Sequence, residues 1–376
     1  VDGLTFPTDD ATLNAWITAA DQASIDAHAW QLWAAATGDL AGAPALTRWR
    51  TPTEGLDDIQ LGGTELPAAT HPLARPTGLL GETASPVLSS VLWSPAAALS
   101  IGMQDLLSSS ALSQRVDAKV SGVELDRRAL VAQPAWVRLG QGVQPLPVWP
   151  GPEGRASTPD TWKRCVWVDT AEPGPGTGDG SSGSCDASGR TPATTYGLGS
   201  FVQFRLSEAE ANALVSIEPE ARAGDVVVLA GLNLASHEVE RWTWQAFWWQ
   251  PDAQPPAPAH PTRPTGQRYA MCTAWSMVEP DQPATGGVGT APVTCYNPWL
   301  EAGLGELPGS TSWTWKGARH APKLGVESNC MSCHALAAWD PKGGQPALPA
   351  ARYVELTPPP GGVRLDFLWS VARSVR

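Results

Sequence analysis

Apolar residues recur at helical spacing near the start of the chain and give way, beyond Gly122, to short runs with the two-residue period of strands. Thr8 and the aspartates after it read as the N-cap of a helix from Ala11 to Ala20. A second helix, Ala23 to Ala36, carries Ile25, His28, Trp30, Leu32, Trp33 and Ala36 in i, i+3 and i+4 relations that form an apolar stripe. Gly and Pro punctuate residues 40–90, which predicts an irregular surface course. Ala97 to Leu107 then predicts a helix ended by Ser108 to Ser110.

The strand-like runs are Val123 to Ala132, Trp162 to Val168, Phe201 to Leu206, Asp225 to Leu234, Trp242 to Trp248 and Arg268 to Val278. Asp225 to Leu234 is apolar nearly throughout, as a strand buried on both faces must be. Alternation in the tryptophan run from Trp242 to Trp248 places Trp242, Trp244 and Trp248 on one face. Ser207 and Glu210 supply a capping box for a short helix to about Val215. The six prolines of residues 250–266 predict a rigid connector. Near the end, Cys330 to Trp339 is expected to form a short helix, Tyr353 to Leu356 a short strand and Leu365 to Val375 a final helix.

These elements predict an α+β fold, loop-rich, with a helical N-terminus and short, mainly antiparallel strands. One body over residues 1–376 is expected; a division at 170–200 into an N-terminal part, 1–170, and a second part, 200–376, is the alternative. The 37 glycines and 36 prolines agree with long irregular connections, and 19 tryptophans stand beside only five phenylalanines and four tyrosines. A formal charge of −12 argues against nucleic acid as a partner and for an acidic surface. No run of apolar residues is long enough for a membrane span. The chain starts at Val1 without Met or an apolar leader, so a processed form is expected.

The chemistry concentrates in Cys330-Met331-Ser332-Cys333-His334. Two thiols at this spacing can form thioethers to the two vinyl groups of one porphyrin, and the adjacent imidazole then falls under the iron. Zinc would want four ligands, and no second CxxC or paired histidines accompany the motif. A thioredoxin-like dithiol would want a strand before it and a helix after it, which the surrounding sequence does not predict. Haem c, one and covalent, is therefore the expected cofactor. It gives the predicted fold a C-terminal haem site with short helices. Cys165, Cys185, Cys272 and Cys295 remain, an even number suited to two disulfides. Nearest-neighbour pairing, Cys165–Cys185 and Cys272–Cys295, closes the shortest loops, though three connectivities are open from sequence. The first bridge would restrain Pro173 to Gly189, a Gly-, Ser- and Pro-rich segment that reads as mobile.

With its lead-in, Gly325 to Ala335, the motif resembles a bacterial c-type cytochrome of the larger monohaem kind. Trp242 to Trp249 and Asp366-Phe367-Leu368-Trp369-Ser370 are similar to segments of periplasmic proteins of the cytochrome c family with a C-terminal haem site. The resemblance implies haem on Cys330 and Cys333, iron on His334, and export before maturation to a periplasmic or extracellular location. Compact cytochromes c take a sixth ligand from a Met downstream of the motif. Residues 335–376 contain no Met, His or Cys, so a protein-derived ligand must come from upstream. Met271 and Met277, flanking Cys272, and His237 are the distal candidates; each is equally readable as a core or turn residue. Trp339 and Trp369 are expected to touch the porphyrin, and Arg319 or Lys323 to pair with its propionates, in the basic stretch around His320.

Three functional readings follow. The first is a monohaem carrier in periplasmic or extracellular electron transfer, docking to a redox partner protein. The second is a peroxidase- or oxygenase-like haem enzyme with an open distal site for a small organic substrate, with His237 as candidate catalytic residue and Glu238 nearby. The third is a haem-based sensor or a docking subunit of a redox assembly.

Overall fold

A computed structural model describes residues 6–39, 43–52, 87–151, 158–253, 268–275, 295–301, 313–315, 318–320, 334, 337–342, 362–372 and 374–375. The N-terminal helices form as the sequence predicts: α1 is Asp10–Ala19 and α2 is Gln22–Thr37. Their caps are Asp9 and Asp21, whose carboxylates accept from the backbone N–H groups of Thr12 and Ser24. The carboxylate one residue beyond Thr8 thus takes the capping role. Further on come α3 (Pro95–Met103), α4 (Ser109–Asp117), α5 (Glu208–Leu214) and α6 (Trp369–Ala372). Serines expected to end a helix instead begin one, since Ser108 Oγ accepts from Ala111 N and opens α4. The Ser207–Glu210 capping box forms as expected on α5.

The strands are β1 (Val87–Leu88), β2 (Leu92–Trp93), β3 (Leu130–Leu139), β4 (Val143–Pro147), β5 (Cys165–Asp169), β6 (Thr195–Gly197), β7 (Gln203–Arg205), β8 (Val226–Ser236), β9 (Thr243–Trp249), β10 (Tyr269–Trp275), β11 (Trp313–Trp315), β12 (Ala318–His320), β13 (Ala338–Trp339) and β14 (Val363–Arg364). Seven of them make one antiparallel sheet in the order β1-β3-β8-β9-β10, with β2 also on β3 and β7 also on β8. The fold is α+β. Strands from before residue 170 and after residue 200 join in this sheet through the β3–β8 pairing, so it is built across the segment that sequence offers as a division. Pro134 sits inside β3 where β1 has ended and β2 has not begun, so its missing N–H breaks no ladder on that edge.

Both faces of the sheet are covered. One carries α2, Trp33, Trp136, Phe247 and Trp249; the other carries α3, Trp93, Trp242, Trp244 and the C-terminal segment around Trp369. β8, the central strand, is buried along nearly its whole length, as its apolar run requires. A side chain at Gly231 would meet Asn297 Oδ1 at 2.9 Å, so only glycine lets the 295–301 segment lie on the strand.

Both disulfides, Cys165–Cys185 and Cys272–Cys295, pair as nearest neighbours. The segment from Pro173 to Gly189, expected to be tied down by the first bridge, is also packed against its surroundings. Ser182 exchanges backbone bonds with Cys165, and Gly180 N donates to Ala193 O. A Cβ on Gly178 would lie 2.6 Å from the Tyr196 ring. Here glycine marks close approach rather than freedom.

Candidate functional site

At the C-terminal end the expected helices shorten. His334 is helical, but Ala338 and Trp339 belong to β13, which pairs with β14, so no helix runs from Cys330 through Trp339. The last helix begins at Trp369 rather than Leu365, because Asp366 (φ +48°) and Phe367 (φ +65°) take left-handed backbone conformations that interrupt it.

That interruption places the Phe367 carbonyl against His334, whose Nδ1 donates to it at 2.7 Å. A carbonyl can only accept, so the neutral ring carries its lone pair on Nε2. Burial pushes the His334 pKa down to about 4, against the smaller upward pull of the Phe367 carbonyl, and the ring is neutral at neutral pH. Its face lies 4.3 Å from the Trp244 ring, centroid to centroid. Trp244 in turn donates Nε1–H to Arg241 O. Trp369 and Trp339 pack in the same apolar cluster as Trp244, together with Ala337 and Leu365.

Asp366 ties this corner to the body of the protein. Its carboxylate accepts from Leu125 N (2.8 Å) and Trp242 Nε1 (3.2 Å) and lies 3.4 Å from His237 Nε2. Burial raises its pKa, opposed first by the attraction of His237. His237 is fully buried, and its Nδ1 donates to Asp126 O at 3.2 Å. Nε2 makes no hydrogen bond to any described residue, the Asp366 carboxylate beside it being at ion-pair distance. The backbone is strained here too, since Trp242 sits at φ +62°, unusual for a bulky residue. The next residue, Glu238, enters a separate buried pair on the other side: it accepts from Ser236 Oγ (2.7 Å) and Thr8 N (2.7 Å) and meets His28 Nε2 at 2.9 Å.

The distal candidates fare differently. In β10, Met271 stands opposite Phe247 and packs in the cluster with it, whereas Cys272 and Ala274 stand opposite Ala246 and Trp244. Directly opposed residues share a face, so Met271 is on the far side of the sheet from Trp244 and His334. Strand alternation thus separates Met271 from the His334 face of the sheet. His237 lies in the turn after β8 but is buried there rather than exposed, and the Trp242 and Trp244 rings continue the series from it towards His334 (4.8 and 6.2 Å centroid steps). Neither it nor Glu238 opens onto solvent. Trp242 belongs to this cluster as expected, although it precedes β9 rather than lying in it, and Trp248 packs towards Trp149. Cys330, Cys333, Met277 and Lys323 lie outside the described residues, as do His71, His260, most of the proline-rich connector and Tyr353 to Leu356. Of Arg319 and His320 only the strand position in β12 is described.

Sequence reasoning missed Asp366 and the Phe367 carbonyl as groups of this site. Asp366 is a lone carboxylate beside an aromatic, and a backbone acceptor has no sequence signature. The donor set fits a haem-ligating histidine. Metal-bound imidazoles characteristically donate their other N–H to a carbonyl or carboxylate, and this one presents a neutral Nε2 beside a buried aromatic wall. No groups of three or more potential metal-binding side chains occur among the described residues. No protein-family model, curated protein or solved structure matches this chain.

Proposed function

We propose that the chain is a monohaem c-type protein that transfers electrons in an exported setting, with haem on Cys330 and Cys333 and His334 as iron ligand. The observation that carries this reading is the His334–Phe367 hydrogen bond beside the CxxCH motif, which leaves Nε2 of a neutral imidazole to bind a metal. When bound, the haem supplies one-electron chemistry at its iron. The protein's own part is to fix the imidazole through the Phe367 carbonyl, to hold that carbonyl through Asp366, and to exclude water with Trp244 and Trp369. The two disulfides support export. No helix among the described residues is long and apolar enough to cross a membrane.

Electron transfer is favoured over the enzyme reading because the residues named for catalysis are occupied. His237 is engaged with Asp126 and Asp366, and Glu238 is locked to His28 and Ser236. Among the described residues, a hollow by Trp162 and Arg164 and another between Met103 and Val120 touch none of the site residues. The test is the absorption spectrum of the reduced protein, matured with haem, with and without carbon monoxide. A low-spin spectrum that carbon monoxide leaves unchanged is expected; ready binding of carbon monoxide would favour the enzyme.

A further inference from the structure

The chain carries a formal charge of −12, yet Lys163 and Arg164 stand together on the wall of a surface hollow of about 460 Å³. That volume is within the range of small-molecule sites. Trp162 and Pro150 line the same hollow, and Ser181 to Gly183 line it from a second segment.

The two segments are fixed to each other. Cys165 and Ser182 exchange both backbone hydrogen bonds (3.0 and 2.9 Å), and the Cys165–Cys185 disulfide closes the same pair of segments. The Arg164 side chain is oriented as well: Nε donates to Ser181 Oγ at 2.6 Å and Nη1 to the Trp149 carbonyl at 3.4 Å. It is 25% exposed, and the carboxylate that meets it among the described residues, Asp252, lies 3.5 Å from Nη2 and is itself 65% exposed. An ion pair so long and so open to water neutralises the guanidinium weakly. Lys163, exposed beside it, has no ion pair among the described residues. A side chain at Gly183 would meet nothing within 4 Å, so the hollow is not filled from that wall. Two cations on a wall that cannot shift, one of them partly desolvated and poorly balanced, suit an anion arriving from solution, since little ordering is left to be done on binding.

We propose that this hollow binds a small organic carboxylate, with its acid group between Lys163 and Arg164 and its apolar body against Trp162 and Pro150. The arriving carboxylate takes the place of Asp252 on Arg164 Nη2. Ser181 Oγ, which accepts from Arg164, keeps its own hydrogen to donate to the ligand. None of the residues around His334 lines the hollow, and the proposal stands apart from the haem reading.

The experiment is isothermal titration calorimetry on the full chain at low salt, with glucuronate as the probe, glucose as its uncharged counterpart and acetate as an acid without a ring. Glucuronate is expected to bind saturably with a Kd on the order of 1 mM and more tightly than acetate, and glucose is expected to give no saturable heat at the same concentrations. Lys163→Gln, at an exposed position, should weaken glucuronate about three- to tenfold, and added salt should weaken it further. Asp252→Asn should tighten glucuronate about two- to threefold, because the competing carboxylate is gone; damage to the fold would not strengthen binding. The absence of saturable glucuronate binding, glucose or acetate binding as tightly, or an affinity unmoved by both substitutions would each overturn the proposal.

Discussion

His334 Nδ1 donates to the carbonyl of Phe367 at 2.7 Å, and Phe367 is the second of two consecutive residues in the left-handed region. The orientation of the proposed iron ligand therefore depends on a strained turn. That turn is held in place by the Asp366 carboxylate through Leu125 N and Trp242 Nε1.

Replacing the imidazole tests its role without disturbing the thioethers. In His334→Gly the haem should remain covalently attached while the low-spin spectrum is lost, and added imidazole should restore it. A variant spectrum identical to wild type would remove His334 from the iron.

Asp366→Asn should cost about 1–3 kcal/mol of unfolding free energy in urea, since the amide cannot accept from Leu125 and Trp242 while also meeting His237 as the carboxyl does. A change within about 0.5 kcal/mol, the range of ordinary surface substitutions, would show that the carboxylate is not an anchor.

Away from this site, Glu301 accepts from Asn233 Nδ2 (2.9 Å) and Asn297 N (3.2 Å), and burial raises its pKa from 4.5 to about 7. The folded protein keeps this proton at pH values where the unfolded chain has released it. Its contribution is complete below about 4.5 and is lost as pH rises through about 7, with an upper size of about 3 kcal/mol. Glu301→Gln should flatten the slope of stability against pH between those limits. An unchanged slope would mean the carboxyl is solvated in the folded state.

The Cys165–Cys185 bridge closes a segment 20 residues apart in sequence, and its removal by paired substitution to Ala should cost about 3 kcal/mol. Gly178→Ala should destabilise independently, through its clash with Tyr196. If Gly178→Ala has wild-type stability in thermal unfolding, the segment is looser than its packing implies.

Much of the scaffold was legible because local patterns and tertiary demand agree. The stripe of α2, the apolar run of β8, the capping box of α5 and the nearest-neighbour disulfides each follow from spacing that admits few alternatives. Composition misled where one residue type serves two purposes. Ser108 begins a helix rather than ending one, and Gly178 makes room for a ring rather than giving slack. For the site, the pentapeptide points to His334, but its supports are long-range. The Phe367 carbonyl and the Asp366 carboxylate depend on a backbone turn that brings distant segments together. Met271 shows the same limit from the other side. Nearness to Cys272 in sequence puts it on the right strand, and the pleat turns it away.

The central claim is that this chain carries one covalent haem on Cys330 and Cys333. The intact mass of the denatured protein, after expression with haem c maturation, tests it most directly. The expected mass is that of the polypeptide plus one haem, and the haem increment is lost when Cys330 and Cys333 are both replaced by Ser. A mass equal to the bare polypeptide, with both thiols free to alkylate, would contradict it.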